Sequence, residues 1–296
     1  MENPGNRPDH NAWRFGLIGH PIGGSGSPAL FAKAYGGRWP YDLIEGADFE
    51  ASWQKFLDGY RAINITAPFK EPAFRRVQET GHVDESCVEI GAINIAVKTD
   101  GGIVGYNSDF LGVRKVLLDE GFGFREVSPV GHNSSHLEQK RPFLTQVGQE
   151  TSHLERQVAL IVGFGGAGKA AAAAAKSIGM DVVVCNRTRR KPDIRPLEDI
   201  PMLLGVADLL IYTLAFPIPE IEMPDQVGHD VIILEANYRT PCLTNCGARY
   251  IPGLRWLEAQ ALTGYPLMTG VSYSAARASN QASGPAMSAL LQHEPK

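Results

Sequence analysis

The sequence predicts an α/β protein built as two domains, and three observations predict it. Short apolar runs alternate with stretches of helical spacing along most of the chain. A glycine-rich turn, Gly163 to Gly168, lies between an apolar run and an alanine-rich stretch. Between these halves, Gly121 to Ser152 loses periodicity and is rich in Gly, Ser, His, Gln and Pro, a length of loop that is uncommon inside one domain. A chain of 296 residues is long for one core and comfortable for two.

The elements follow in order. Phe15 to Gly19 reads as a buried strand running into the loop Pro21 to Pro28, where Ser27 is placed to cap a helix starting at Pro28. Tyr41 to Glu45 and Ala62 to Thr66 read as strands, and Phe49 to Tyr60 between them carries apolar residues at helical spacing. Ala92 to Val97 and Ile103 to Tyr106 flank Thr99-Asp100-Gly101-Gly102, a hairpin turn. Leu111 to Leu118 reads as helix. The second half continues through strands at Val158 to Val162, Val182 to Cys185, Asp208 to Thr213 and Val231 to Leu234, and turns helical from Trp256.

Composition narrows the function classes. Hydrophobic residues make up 44% and charged residues 20%, ordinary for a globular chain. A net charge of −4 carries no electrostatic footprint for nucleic acid. The first ten residues are polar and lack the apolar core of a signal peptide, and no apolar run is long enough to span a bilayer, so a cytoplasmic location is expected. Cys87, Cys185, Cys242 and Cys246 are too few and scattered for a disulfide framework and read as free thiols. Cys242 and Cys246 lack a second ligand pair nearby, and His132, His136 and His153 read as solvated, so no metal is expected.

Gly163-Phe164-Gly165-Gly166-Ala167-Gly168 fits G-x-G-x-x-G in the strand-turn-helix context that pattern requires. Its glycines permit a tight turn, close backbone approach to a pyrophosphate and close helix packing, and the helix N-terminus offers N–H groups to phosphate. The end of the next strand selects the cofactor. A site for NAD places a carboxylate there for the ribose 2′-hydroxyl. Here Asn186-Arg187-Thr188-Arg189-Arg190-Lys191 supplies an amide, a hydroxyl and cations, which suit a 2′-phosphate. The cofactor expected is NADP(H), bound by Gly163, Gly165, Gly166, Ala167, Gly168, Asn186, Arg187, Thr188 and Lys191.

Taken together, the motifs resemble the shikimate dehydrogenase family over most of the chain outside Gly121 to Gln157. Asn186-Arg187-Thr188 matches that family's NADP-selecting turn. Pro21-Ile22-Gly23-Gly24-Ser25-Gly26-Ser27-Pro28 is similar to its substrate-carboxylate loop, and Asn64-Ile65-Thr66-Ala67-Pro68-Phe69-Lys70 to its catalytic-lysine motif. Gly91-Ala92-Ile93-Asn94 and Gly105-Tyr106-Asn107-Ser108-Asp109 match two further substrate motifs, and Gly253 to Gln260 resembles the segment carrying a substrate-binding glutamine.

The resemblance implies an N-terminal α/β substrate domain, residues 1–112 with 257–296, and a Rossmann-type NADP-binding domain, residues 113–256, with the active site in the cleft between them and residues 121–157 as a loop or insertion. It implies reversible reduction of 3-dehydroshikimate to shikimate by NADPH. Ser25 and Ser27 would hold the substrate carboxylate, while Thr66, Asn94, Gln260 and Tyr238 would contact the rest of the ring. Lys70 and Asp109 would be catalytic, meeting the need for a proton at the developing alkoxide. Small-molecule substrate, no nucleic acid and no membrane are the partners expected, and a homodimer stays open.

Several positions depart from the family pattern. Gly24 stands for a usual histidine, Ile95 and Ser108 for threonines, and Tyr212-Thr213-Leu214 for Asn-Ala-Thr. Two rival readings remain beside the first: a quinate-type dehydrogenase with other substrate or cofactor preference, and a non-catalytic NADP(H)-sensing protein on the same scaffold.

Overall fold

In a computed structural model of the chain, residues 12–123, 156–188, 192–221, 231–244, 246 and 249–272 are described. The chain divides into two compact units, residues 1–108 with 260–296, and residues 109–259. Lys191, the three histidines of the interdomain segment and most of that segment lie outside the described residues.

The first unit holds β1 (Phe15–Gly19), α1 (Ser27–Tyr35), β2 (Tyr41–Glu45), α2 (Phe49–Gly59), β3 (Ala62–Ile65), α3 (Lys70–Thr80), β4 (His82–Val83), α4 (Glu85–Ile90), β5 (Ile95–Thr99) and β6 (Gly102–Tyr106). Its six strands are ordered β2-β1-β3-β5-β6-β4. The β1 strand pairs in parallel with β2 and β3, while β3-β5 and β5-β6 are antiparallel. All five residues of β1 are buried, as a central strand covered on both faces requires. One face packs Phe15, Phe31, Tyr35, Trp39 and Ile95, and the other packs Ile18, Trp53, Phe56, Ile63 and Phe74. The β5-β6 hairpin turns through Asp100 and Gly101, with Thr99 paired to Gly102.

Two local readings need correction or extension. The helix α1 starts at Ser27, not Pro28, and Ser27 does not cap it: Gly26 is the N-cap, and no side chain bonds there. The Gly26 carbonyl already accepts from Leu30 N–H at 3.0 Å, which draws Ser27 into the first turn. The helices α3 and α4 and the short strand β4 were not expected; Asp84 caps α4, its carboxylate accepting from Ser86 N–H at 3.1 Å.

The second unit begins within α5 (Ser108–Asp119) and continues β7 (Val158–Val162), α6 (Gly166–Ser177), β8 (Asp181–Cys185), β9 (Ile194–Arg195), α7 (Ile200–Leu204), β10 (Leu209–Tyr212), β11 (Ile232–Glu235), β12 (Arg249–Ile251) and α8 (Gly253–Thr269), the last crossing back into the first unit at Gln260. The sheet is ordered β12-β11-β10-β7-β8-β9 and every pairing in it is parallel. Counted from β7 this is the 3-2-1-4-5-6 order of a doubly wound dinucleotide fold, and ligands of such sheets bind beyond the carboxyl ends of the strands where the order reverses. That point lies between β7 and β10. Ala170 to Ala175 are all buried, so small side chains let α6 lie close on the sheet.

Candidate active site

The carboxyl end of β7 opens directly into the glycine turn. Gly163 has φ +92°, a conformation that favours glycine, and its N–H donates to the Cys185 carbonyl at 2.9 Å. Gly168 packs on the same turn: a Cβ there would come within 2.1 Å of the Gly163 carbonyl oxygen. Gly165 and Gly166 behave differently. A Cβ on either meets nothing within 4 Å, both are exposed, and they stand at the N-cap and first position of α6. The first and last glycines close the turn, and the middle pair leaves backbone N–H groups open above the helix N-terminus. This arrangement fits a pyrophosphate.

Asn186 follows β8 and ties the two turns together. Its Oδ1 accepts from Phe164 N–H at 3.2 Å and its Nδ2 donates to the Thr188 carbonyl at 2.8 Å. The amide thereby orients both the glycine turn and the Arg187-Thr188 turn, whose two side chains are exposed. Thr213, just beyond β10, shares its hydroxyl between the carbonyls of Val162 at 3.0 Å and Gly163 at 3.2 Å. It was expected only as a departure from a pattern. Its role emerges once β10 is known to lie beside β7.

Glu235 is a second residue that sequence reasoning missed. It ends β11 with no solvent exposure, and its carboxylate accepts from Cys242 N–H at 2.6 Å, Leu243 N–H at 3.1 Å and the Tyr250 hydroxyl at 2.8 Å. These bonds anchor the turn carrying Tyr238, which Asn237 closes by accepting from Thr240 N–H at 3.2 Å. Tyr238 itself is exposed. Burial, reinforced by Glu235, pushes the Tyr250 phenol and the Cys242 and Cys246 thiols upward. Burial holds the Cys87 and Cys185 thiols at about 12, so neither is a nucleophile at neutral pH. Among the described residues, no group of three or more His, Cys, Asp or Glu could hold a metal ion. Replacing Glu235 with Ala strands three donors, Leu243 N–H buried and Cys242 N–H and the Tyr250 hydroxyl half-buried. The expected loss of stability is about 3 kcal/mol in chemical denaturation; a loss below about 1 kcal/mol would mean the turn does not depend on this carboxylate.

In the first unit, the substrate-side motifs converge on the ends of β1, β3 and β6. The Ser25 hydroxyl donates to Ser27 Oγ at 3.0 Å, and Ser27 N–H donates to Ser25 Oγ at 3.3 Å. Their loop is fastened by Ile22 N–H donating to Glu45 Oε1 at 3.2 Å. Thr66 follows β3, where its N–H donates to the Ile18 carbonyl at 3.0 Å. Lys70 is half-buried and is the first residue of α3, its carbonyl accepting from Ile93 N–H at 3.3 Å. Asn94 is buried; its Oδ1 accepts from Ser108 N–H at 2.7 Å, and Ser108 opens the helix on which Asp109 follows.

Gln260 lies on α8, one turn before Gly264. A Cβ at Gly264 would lie 2.9 Å from Ile95 Cδ1 and 2.9 Å from Ser108 Cβ, so that helix face lies tightly against the end of the hairpin. Ile95 is fully buried in the core behind it, which accounts for an apolar residue at that position. Gly24 is exposed and faces open space. Asp109, in the second unit, is buried, and its carbonyl accepts from the Trp256 indole N–H at 3.1 Å.

The second unit is thus a dinucleotide-binding α/β fold, and the first is an α/β unit that collects serine, threonine, asparagine and lysine side chains at its strand ends. Residues 17–96 match the family described as the shikimate dehydrogenase substrate binding domain. Residues 131–217 match the D-isomer specific 2-hydroxyacid dehydrogenase, NAD binding domain. The chain is 28% identical to shikimate dehydrogenase (NADP(+)) of Pyrococcus abyssi over 87% of this chain and 92% of that one. It is 29% identical to the enzyme of the same name from Halobacterium salinarum, over 87% and 93%. In three dimensions it is similar to shikimate 5-dehydrogenase of Thermus thermophilus in complex with NADP(H) and shikimate, with a TM-score of 0.65 at 24% identity, covering 90% of this chain and 99% of that one. The resemblance to shikimate dehydrogenases read from the motifs holds across nearly the full length of these relatives.

Proposed function

We propose that the protein catalyses reversible, NADPH-dependent reduction of 3-dehydroshikimate to shikimate. The observation that carries this reading is the open glycine pair at the switch point of a 3-2-1-4-5-6 sheet, in a chain aligned along its length with NADP-dependent shikimate dehydrogenases. Bound NADPH supplies hydride to the ketone carbon. The residues of the chain do the rest. Gly163, Gly165, Gly166, Ala167 and Gly168 hold the pyrophosphate by backbone N–H groups, and Arg187 and Thr188, positioned by Asn186, face the 2′-phosphate. Lys191, three residues further along the sequence, is a further cation for the same phosphate.

On the substrate side, Ser25 and Ser27 bind the carboxylate, and Thr66, Asn94 and Gln260 bind ring hydroxyls as neutral partners. Tyr238 is a further substrate contact, on the turn fixed by Glu235. Lys70 delivers a proton to, or stabilises, the oxygen that becomes the alcohol, and Asp109 orients the reacting hydroxyl. In the oxidising direction the same groups take the proton back. Residues 1–112 with 257–296 form the substrate domain and residues 113–256 the NADP-binding domain. A cytoplasmic place fits the four free cysteines. Among the described residues, no helix is long and apolar enough to cross a membrane.

The cofactor assignment is tested at Arg187. Arg187→Ala removes a charge-assisted bond to the 2′-phosphate and should raise the KM for NADPH about tenfold or more. The KM for NADH should stay where it is. Equal effects on both cofactors, or none, would take the 2′-phosphate away from this turn.

A further inference from the structure

Glu45 is the last residue of β2 and belongs to none of the motifs assigned above. Strand register places it level with Gly19, the last residue of β1, where the chain enters the serine loop. Its Oε1 accepts from Ile22 N–H at 3.2 Å and lies 3.7 Å from His20 Nδ1. Ile22 in turn opens a four-residue turn: its carbonyl accepts from Ser25 N–H at 2.9 Å, with Gly23 and Gly24 at the two central positions. Ser25 is joined to Ser27 by its hydroxyl, at 3.0 Å, and by Ser27 N–H, at 3.3 Å. An unbroken series of hydrogen bonds therefore leads from the Glu45 carboxylate through Ile22 to both serines.

We propose that Glu45 is a positioning residue for substrate: by holding Ile22 N–H it sets the turn that presents Ser25 and Ser27 to the substrate carboxylate. Gly23, Gly24 and Gly26 lie between Ile22 and Ser27, and glycine gives up more conformational freedom on ordering than any other residue. Little packs on the turn to order it. Gly23 and Gly24 are exposed, a Cβ on Gly24 would meet nothing within 4 Å, and the nearest atom to a Cβ on Gly23 would be Glu45 Oε2, at 3.4 Å. The shape of the turn is therefore set at its ends. The far end is held by α1, which starts at Ser27. The near end is held by the buried Ile22 side chain and by Glu45. Ordering the serines before the ligand arrives spares that cost from the binding energy.

This role rests on the shikimate reading, and the two fail in different ways. Glu45→Ala should raise the KM and the dissociation constant for shikimate about three- to tenfold, the worth of one hydrogen bond. It should leave kcat within about twofold and the KM for NADP⁺ unchanged. Glu45→Gln keeps an oxygen that can accept from Ile22 N–H, and should recover most of the lost affinity. On a Ser25→Ala background, Glu45→Ala should cost less than it does alone, because part of its effect passes through that serine. Unchanged shikimate affinity in Glu45→Ala overturns the role. So does a Glu45→Gln protein as weak as Glu45→Ala, a full additional loss on the Ser25→Ala background, or an equal rise in the KM for NADP⁺, which would mark a general loosening of the fold. A wild-type protein that neither binds nor oxidises shikimate overturns the functional reading first and this role with it.

Discussion

Replacing Lys70 with alanine lowers turnover of shikimate by about 10²–10⁴-fold, with little change in NADP⁺ affinity. Lys70 opens α3, where alanine is the best helix former, and its main-chain carbonyl keeps the bond from Ile93 N–H in the variant. A thermal midpoint close to the wild type's shows that the fold is kept and that the rate reports chemistry. Lys70→Arg separates two roles. Arginine keeps a positive charge for the developing oxyanion but does not release a proton near neutrality. If charge stabilisation dominates, Lys70→Arg recovers part of the lost rate; if proton transfer dominates, it does not. A Lys70→Ala enzyme within a few-fold of the wild-type rate would remove this residue from the mechanism.

The second large effect lies in the glycine turn, where two alanine substitutions should fail differently. In Gly168→Ala the new methyl would sit 2.1 Å from a backbone oxygen of Gly163, so the helix and the turn must move apart. Overpacking of this kind costs about 1–3 kcal/mol of stability, and the cofactor site is lost with it. In Gly166→Ala the methyl meets nothing within 4 Å and enters the first turn of a helix. Stability should hold or rise, by up to about 1 kcal/mol. NADPH affinity should nevertheless fall by about tenfold or more, because the methyl takes the space in which the pyrophosphate approaches the backbone. Thermal midpoints and NADPH titrations of both variants check the contrast. A Gly166→Ala protein that binds NADPH like the wild type would move the phosphates away from this turn.

What could be read in the sequence was what is local. The glycine turn declares itself because its spacing and its flanks carry the chemistry within a few residues. The strands β1, β2, β3, β7, β8, β10 and β11 were legible from apolar runs. The strands β4 and β12, of two and three residues, exist through pairing with β6 and β11 and carry little pattern of their own. The helix α3 buries Ala73, Phe74 and Val77 at helical spacing, a signal obscured by Pro72 and by strong polarity elsewhere in the segment. The roles of Glu45, Thr213 and Glu235 were illegible for a different reason. Glu45 meets Ile22 because β2 lies beside β1, and Thr213 meets Gly163 because β10 lies beside β7. Glu235 looked like a strand-end acid until the fold brought Cys242, Leu243 and Tyr250 to it. Such partners are set by strand order, which no single stretch of sequence contains.

The central claim joins one cofactor to one substrate, and a spectrophotometric assay of NADP⁺ reduction tests both at once. With shikimate, quinate and no substrate run side by side, and with NAD⁺ in place of NADP⁺ in a parallel series, the account predicts rapid NADPH formation with shikimate. It predicts a much lower kcat/KM with quinate and with NAD⁺. Turnover of quinate equal to that of shikimate, NAD⁺ used as well as NADP⁺, or NADPH binding without turnover of either acid would contradict it.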